Sequence, residues 1–224
     1  TFLDEVASST GNTSHYIARP PDIQKFLNDK FNALTRVFAD EVKLEFAPMD
    51  GVSLNYAFRL QPETGPLSMD EAMRLGPILR DTHLAVVFEF LVQPAAVKPE
   101  GVKFLEGKLK VSIASQSAPI TPTRVHFERP VSLDAGMEPP PLPILQALSR
   151  LTLYRMQERA RTEVQSGEFD KATRSLKNLA SHLLAQGQQS LAKTVLLEVE
   201  NIAHKHTFSQ EGEKEIKYAT RALI

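Results

Sequence analysis

Apolar and polar residues alternate along the middle of the chain. The stretch HLAVVFEFLVQ, His83–Gln93, is its most hydrophobic run. Leu84, Val86, Phe88, Phe90 and Val92 share one face, and Ala85, Val87 and Leu91 make the other nearly as apolar. Side chains alternate across a strand, so this run predicts a strand inside a sheet and covered on both sides. Val42, Leu44 and Phe46 alternate with Lys43 and Glu45, and Val52, Leu54, Tyr56, Phe58 and Leu60 with Ser53, Asn55 and Arg59. Pro48-Met49-Asp50-Gly51 between them has turn chemistry, which predicts a hairpin. Met69–Leu79 predicts an edge strand, because Gly76-Pro77 limits its pairing. Leu109, Val111 and Ile113, then Val125, Phe127, Val131 and Leu133, complete the set. Six or seven strands in about 90 residues suit an immunoglobulin-like antiparallel β-sandwich.

On either side the period changes from two to three and four. FLDEVASS predicts a helix stopped by Gly11-Asn12. SHYIA reads as extended, and Pro20-Pro21 precedes a second helix opened by Asp22. Ile23, Phe26, Leu27, Phe31, Leu34 and Phe38 give that helix one strongly apolar face, which needs a partner. Asp134–Pro143, DAGMEPPPLP, reads as a boundary, either a stiff extended connector or a tight crossover. Four helical stripes follow: Leu145, Leu148, Leu153, Met156, Ala160 and Val164; Ala172, Leu176, Leu179 and Leu183; Ala192, Val195, Val199 and Ile202; Ile216, Ala219 and Leu223. Ser209, with Glu211 and Glu213 behind it, is a good start for the last. The predicted class is α+β: a helix-strand-helix piece over 1–40, a sandwich over 41–134 and a small helical bundle over 143–224.

Composition narrows the chemistry. The 224 residues carry a net charge of −1, which gives no general basic field for nucleic acid or anionic membrane. The helical part, 144–224, has 12 Lys and Arg against 9 Asp and Glu, too mild an excess for a nucleic-acid footprint. There is no cysteine, hence no disulfide, thiol nucleophile or thiolate metal site. This leaves the compartment open, with the cytoplasm favoured. No apolar run approaches the roughly 18 residues needed to span a bilayer. The chain starts at Thr1 without an initiator Met or a signal-like segment, so Thr1 is expected to lie inside a longer polypeptide, with simple removal of the initiator Met as the alternative.

No GxSxG, HExxH, Walker or GxGxxG motif is present. Glu200, His204 and His206 are the one candidate metal set, since Glu200 lies a helical turn before His204. The competing reading makes His204, Lys205 and His206 cations at a helix C-terminus, where the dipole favours them. Asn12-Thr13-Ser14 matches a glycosylation acceptor, a short pattern that arises by chance. The expectation is a non-enzyme with no cofactor.

Two stretches resemble a known family. LDEVASSTGNTSHYIARPPDIQKFLNDKFNAL resembles the end of a von Willebrand factor type A domain: penultimate helix, short edge strand, final helix. ERARTEVQSGEFDKATRSLKNLASHLLAQGQQSLAKTVLLEVENI, with the closing KYATRAL, resembles the helical tail of bacterial proteins that carry such a domain. The resemblance implies protein binding through a metal held by an Asp-x-Ser-x-Ser loop. No such loop occurs in this sequence, which implies a metal site upstream of Thr1. The expected function is therefore a non-catalytic structural and interaction region that orients and braces that domain and binds a protein partner. Alternatives are a metal-assisted hydrolase using Glu200, His204 and His206, or a peptide-binding groove between the 144–165 and 170–185 helices. The apolar face of the 22–38 helix is expected to pack on the sandwich, on the helical tail, or on a second copy of the chain.

Overall fold

In the computed structural model, residues 2–17, 19–116, 120–132 and 139–224 are described. The chain divides after Glu138 into two units. The first carries helices α1 (Phe2–Ser9) and α2 (Asp22–Thr35) and strands β1 (Val37–Pro48), β2 (Val52–Gln61), β3 (Gly65–Pro66), β4 (Ala72–Leu79), β5 (Ala85–Val92), β6 (Val102–Ser112) and β7 (Thr123–Arg129). The second carries α3 (Leu142–Gln165), α4 (Phe169–Ala185), α5 (Gln189–Lys205) and α6 (Gln210–Ala222). The class is α+β, and every pairing among these strands is antiparallel.

The strands make a four-stranded sheet, order β4-β1-β6-β7, and a three-stranded sheet, order β3-β2-β5. One apolar cluster joins them: Val42, Leu44, Met73 and Leu75 from the first, and Ala57 from the second, with Val86 and Phe88 packed against it. Two sheet-level expectations fail. The turn at Met49–Gly51 forms, with Gly51 at φ 74 and the Val52 N–H donating to the Met49 carbonyl. Yet β1 and β2 are not a hairpin, because β1 pairs with β4 and β6 while β2 pairs with β3 and β5. The turn carries the chain from one sheet to the other, since both strands have an apolar face and the two faces bury each other. The 83–93 run is also not central. β5 pairs only with β2 among the described strands, and Leu91 on its outer face is 56% exposed. Apolarity on both faces reports composition, whereas coverage depends on which strands come alongside.

β4 lies at the edge of its sheet, with Gly76 at φ 99 next to Pro77, as the turn-forming pair predicts. No strand forms at Ser14–Ile17, and Ala18 lies outside the described residues. Nor does β7 reach Val131, because the chain leaves the strand before Pro130, and Leu133 lies outside the described residues. Of the predicted boundary at 134–143, residues 134–138 lie outside the described residues, 139–141 form no regular element, and Leu142 and Pro143 open α3.

In the second unit all four expected helices form. Leu153 and Ala160 of α3, Leu176, Leu179 and Leu183 of α4, Ala192, Val195 and Ile202 of α5 and Ile216 of α6 make one core. Leu145 and Leu148 of the first stripe remain 43% and 41% exposed. The α5–α6 junction is held by a buried carboxylate. Glu198 accepts from the Ser209 N–H at 2.7 Å, the Ser209 hydroxyl at 2.6 Å and the Asn201 amide at 2.9 Å. Ser209 Oγ in turn accepts the Gly212 N–H at 3.0 Å, which caps α6.

Candidate interaction surface

α2 faces the protein with an unexpected side. The residues on it that are partly covered are Asp22, Phe26, Lys30 and Ala33, spaced four, four and three, so they form one stripe. No residue of α2 is buried. The neighbouring stripe of Ile23, Leu27, Phe31 and Leu34 is exposed, the last two at 64% and 67%, and Phe38 beyond it is also exposed. The expectation that this face packs on the sandwich is therefore overturned, and the partly covered Phe26 packs on His15 of the preceding segment. Covering what remains exposed of four such side chains is worth about 1 kcal/mol each, roughly half the value of full burial.

Polar contacts do the seating instead. Glu63, in the loop between β2 and β3, accepts a hydrogen bond from the Thr13 hydroxyl at 2.5 Å and pairs with Lys30 of α2. His15 Nε2 lies 3.7 Å from the same carboxylate, and its ring packs tilted on Phe26 at 5.1 Å. Burial by itself disfavours the charged Glu63. The nearby His15 ring, the Lys30 and Thr13 hydrogen bonds and the Lys30 charge outweigh it and hold the carboxyl well below the usual carboxylate range.

Beneath Glu63 lies Arg59, 1% exposed. Its Nε donates to the Glu63 carbonyl at 2.7 Å, and its Nη1 donates to the carbonyls of Gly11 at 2.5 Å and Leu75 at 2.8 Å. One guanidinium thus joins β2, β4 of the other sheet, and the chain leaving α1. Gly11 at φ 73 and Gly76 at φ 99 close over it, and a Cβ on Gly76 would overlap Nη1. At the far end of α2 the Arg80 N–H donates to the Arg36 carbonyl at 2.7 Å, and Arg36 Nη2 donates to the Arg80 carbonyl at 3.3 Å. The sequence pattern placed Arg59 among outward polar positions. Register shifts in β2, between Leu54 and Tyr56 and between Arg59 and Gln61, break the alternation, and Ala57, Phe58 and Arg59 are all buried.

The depressed Glu63 carboxyl has a pH signature. Its contribution is fully present above the unfolded carboxylate range and is lost as pH falls through that range toward the lower folded value. Replacing Glu63 by Gln should cost about 1 kcal/mol at pH 7, a figure discounted for partial exposure. The gap between parent and variant should shrink below about pH 4, checked by urea unfolding at several pH values.

The candidate metal residues do not converge. Glu200, His204 and His206 are exposed on and after the end of α5, and His206 takes a left-handed conformation with its ring 4.4 Å from Phe169. Among the described residues no three His, Cys, Asp or Glu side chains are placed to hold a metal. The groove between α3 and α4 is filled by Leu153, Ala160, Leu176, Leu179 and Leu183 of the chain itself. Among the described residues no helix is long and apolar enough to cross a membrane.

Residues 142–224 match the family model "Sll0103-like, C-terminal alpha-helical domain". The fold is similar to that of a solved structure, "von Willebrand factor type A from Catenulispora acidiphila", with a TM-score of 0.66 at 12% identity. That similarity covers 98% of this chain and 54% of the solved one, so the chain spans about half the length of the protein it matches. No curated protein matches it.

Proposed function

We propose that this chain is a non-catalytic structural and protein-interaction region of a larger bacterial protein with a type A domain. In this reading residues 1–40 are the end of the type A domain, residues 41–134 an immunoglobulin-like sandwich that orients it, and residues 143–224 a helical domain that braces it or binds a protein partner. The observation that carries the reading is the exposed stripe Ile23, Leu27, Phe31 and Leu34 on a helix whose other flank is seated. Contiguous exposed apolar surface of this kind marks an interface. The solved structure of similar fold has nearly as much chain again beyond the part matched, enough to supply a cover.

The test compares this chain with the polypeptide extended upstream of Thr1. Amide exchange across Asp22–Thr35 should slow by about tenfold or more in the longer protein, since covering the stripe raises its local opening free energy. Equal exchange in a longer protein that is monomeric would overturn the reading. Equal exchange together with a concentration-dependent dimer of either form would assign the stripe to a second copy of the chain and overturn it as well.

A further inference from the structure

We propose that Glu63 and Arg59 are positioning residues: together they lock α2 and the 11–15 segment that follows α1 onto the sheets at one orientation and so hold the apolar stripe of α2 outward. The use of that orientation rests on the function proposed above; the lock itself does not.

The grounds lie in how α2 is mounted. A helix seated by apolar side chains tolerates the loss of one contact, because its neighbours still exclude water. α2 has no buried side chain, and its seated stripe meets the protein through Phe26 against His15 and Lys30 against Glu63. Glu63 is the hub. Its carboxylate holds Thr13 and Lys30 on the helical side, and its carbonyl holds Arg59 Nε on the sheet side. Arg59 carries the same connection to Gly11, which follows α1, and to Leu75 in β4. Ser14 bonds back to Asp4 of α1, so the 11–15 segment is tied to α1, to Glu63 and to Arg59 at once. The inward stripe is the more polar one, and these few charge-assisted bonds select which flank of the helix is left free. Such bonds are directional, and apolar packing is not.

The lock predicts that losing Glu63 frees the orientation of α2 without unfolding the sheets. The chain has no cysteine, so two can be introduced for spin labels without background. Asn28→Cys on α2 and Lys110→Cys on β6 are both exposed positions. In the full chain the label-to-label distance should be single and narrow. Adding Glu63→Gln should broaden it about twofold, while amide protection of β1 and β6 falls by no more than the roughly fivefold that the small expected loss of stability implies, as for a locally freed element. Combining Glu63→Lys with Lys30→Glu should narrow it again, because the pair is restored with reversed charge. An unchanged distribution in Glu63→Gln overturns the lock. So does broadening accompanied by a larger loss of protection in β1 and β6, since Glu63 would then serve the stability of the sheets alone. Both labels sit on this chain, so the outcome is independent of whether an upstream domain covers the stripe.

Discussion

Replacing Arg59 by Met should destabilise the first unit by about 3 kcal/mol, the largest single-residue effect expected outside its apolar core. Met approximates the length of the side chain, so the loss is not mainly a cavity. What disappears is the donor set for the Gly11, Leu75 and Glu63 carbonyls. These are backbone acceptors and no substitution removes them. Each one left dry costs about 1–3 kcal/mol, and relief from burying a guanidinium offsets part of the total. Arg59→Lys should fall between parent and Met, because an ammonium has donors but not the planar fork that reaches three carbonyls in three directions. Denaturant unfolding followed by near-ultraviolet circular dichroism measures the series. A Met variant within about 0.5 kcal/mol of the parent would mean that water replaces the guanidinium at no cost, against the expectation for buried acceptors.

Gly212→Ala is the second, and its sign is the informative part. Gly to Ala inside a helix ordinarily stabilises by up to about 1 kcal/mol. In α6 it should instead cost about 2 kcal/mol, the scale of losing a cap and a buried charge-assisted bond. A Cβ on Gly212 would overlap the Glu198 carboxylate and come within 2.7 Å of its Cγ. Glu198 is 3% exposed and its carboxylate holds Ser209 and Asn201, so it cannot swing aside without breaking the cap of α6. Glu198→Ala alone should also be destabilising. The double variant should lose clearly less than the two singles together, since the clash vanishes with the carboxylate and the introduced methyl group then contributes only its favourable helix propensity. Simple additivity in the thermal or denaturant midpoints would show that the two residues do not share this contact.

Glu198 and Arg59 also show how legible the site was. Ser209 was readable as a helix start because a serine followed by acidic residues serves the first turn of whatever helix it begins. Glu198 was not, since it sits eleven residues away on the previous helix and looks like any exposed glutamate of an amphipathic pattern. Arg59 looked like an outward polar residue of an alternating strand until a bulge and the 11–15 segment enclosed it. Glu63 lies in a loop whose composition says only that it is a loop. The exposed stripe of α2 was half readable: the apolar face was evident, but not which flank the fold would seat.

Sequence alone determined the local elements: the strand-rich middle, the four terminal helices, the capped start of α6, the turn at Gly51 and the edge character of β4. Each follows from side-chain spacing or a φ preference acting over a few residues. Tertiary structure alone decided that β1 and β2 belong to different sheets, that β5 lies at an edge, that Arg59 is enclosed, and that α2 sits on its more polar flank. Those outcomes depend on which distant segments compete for the same face or the same donor, and no short stretch of chain encodes its competitors.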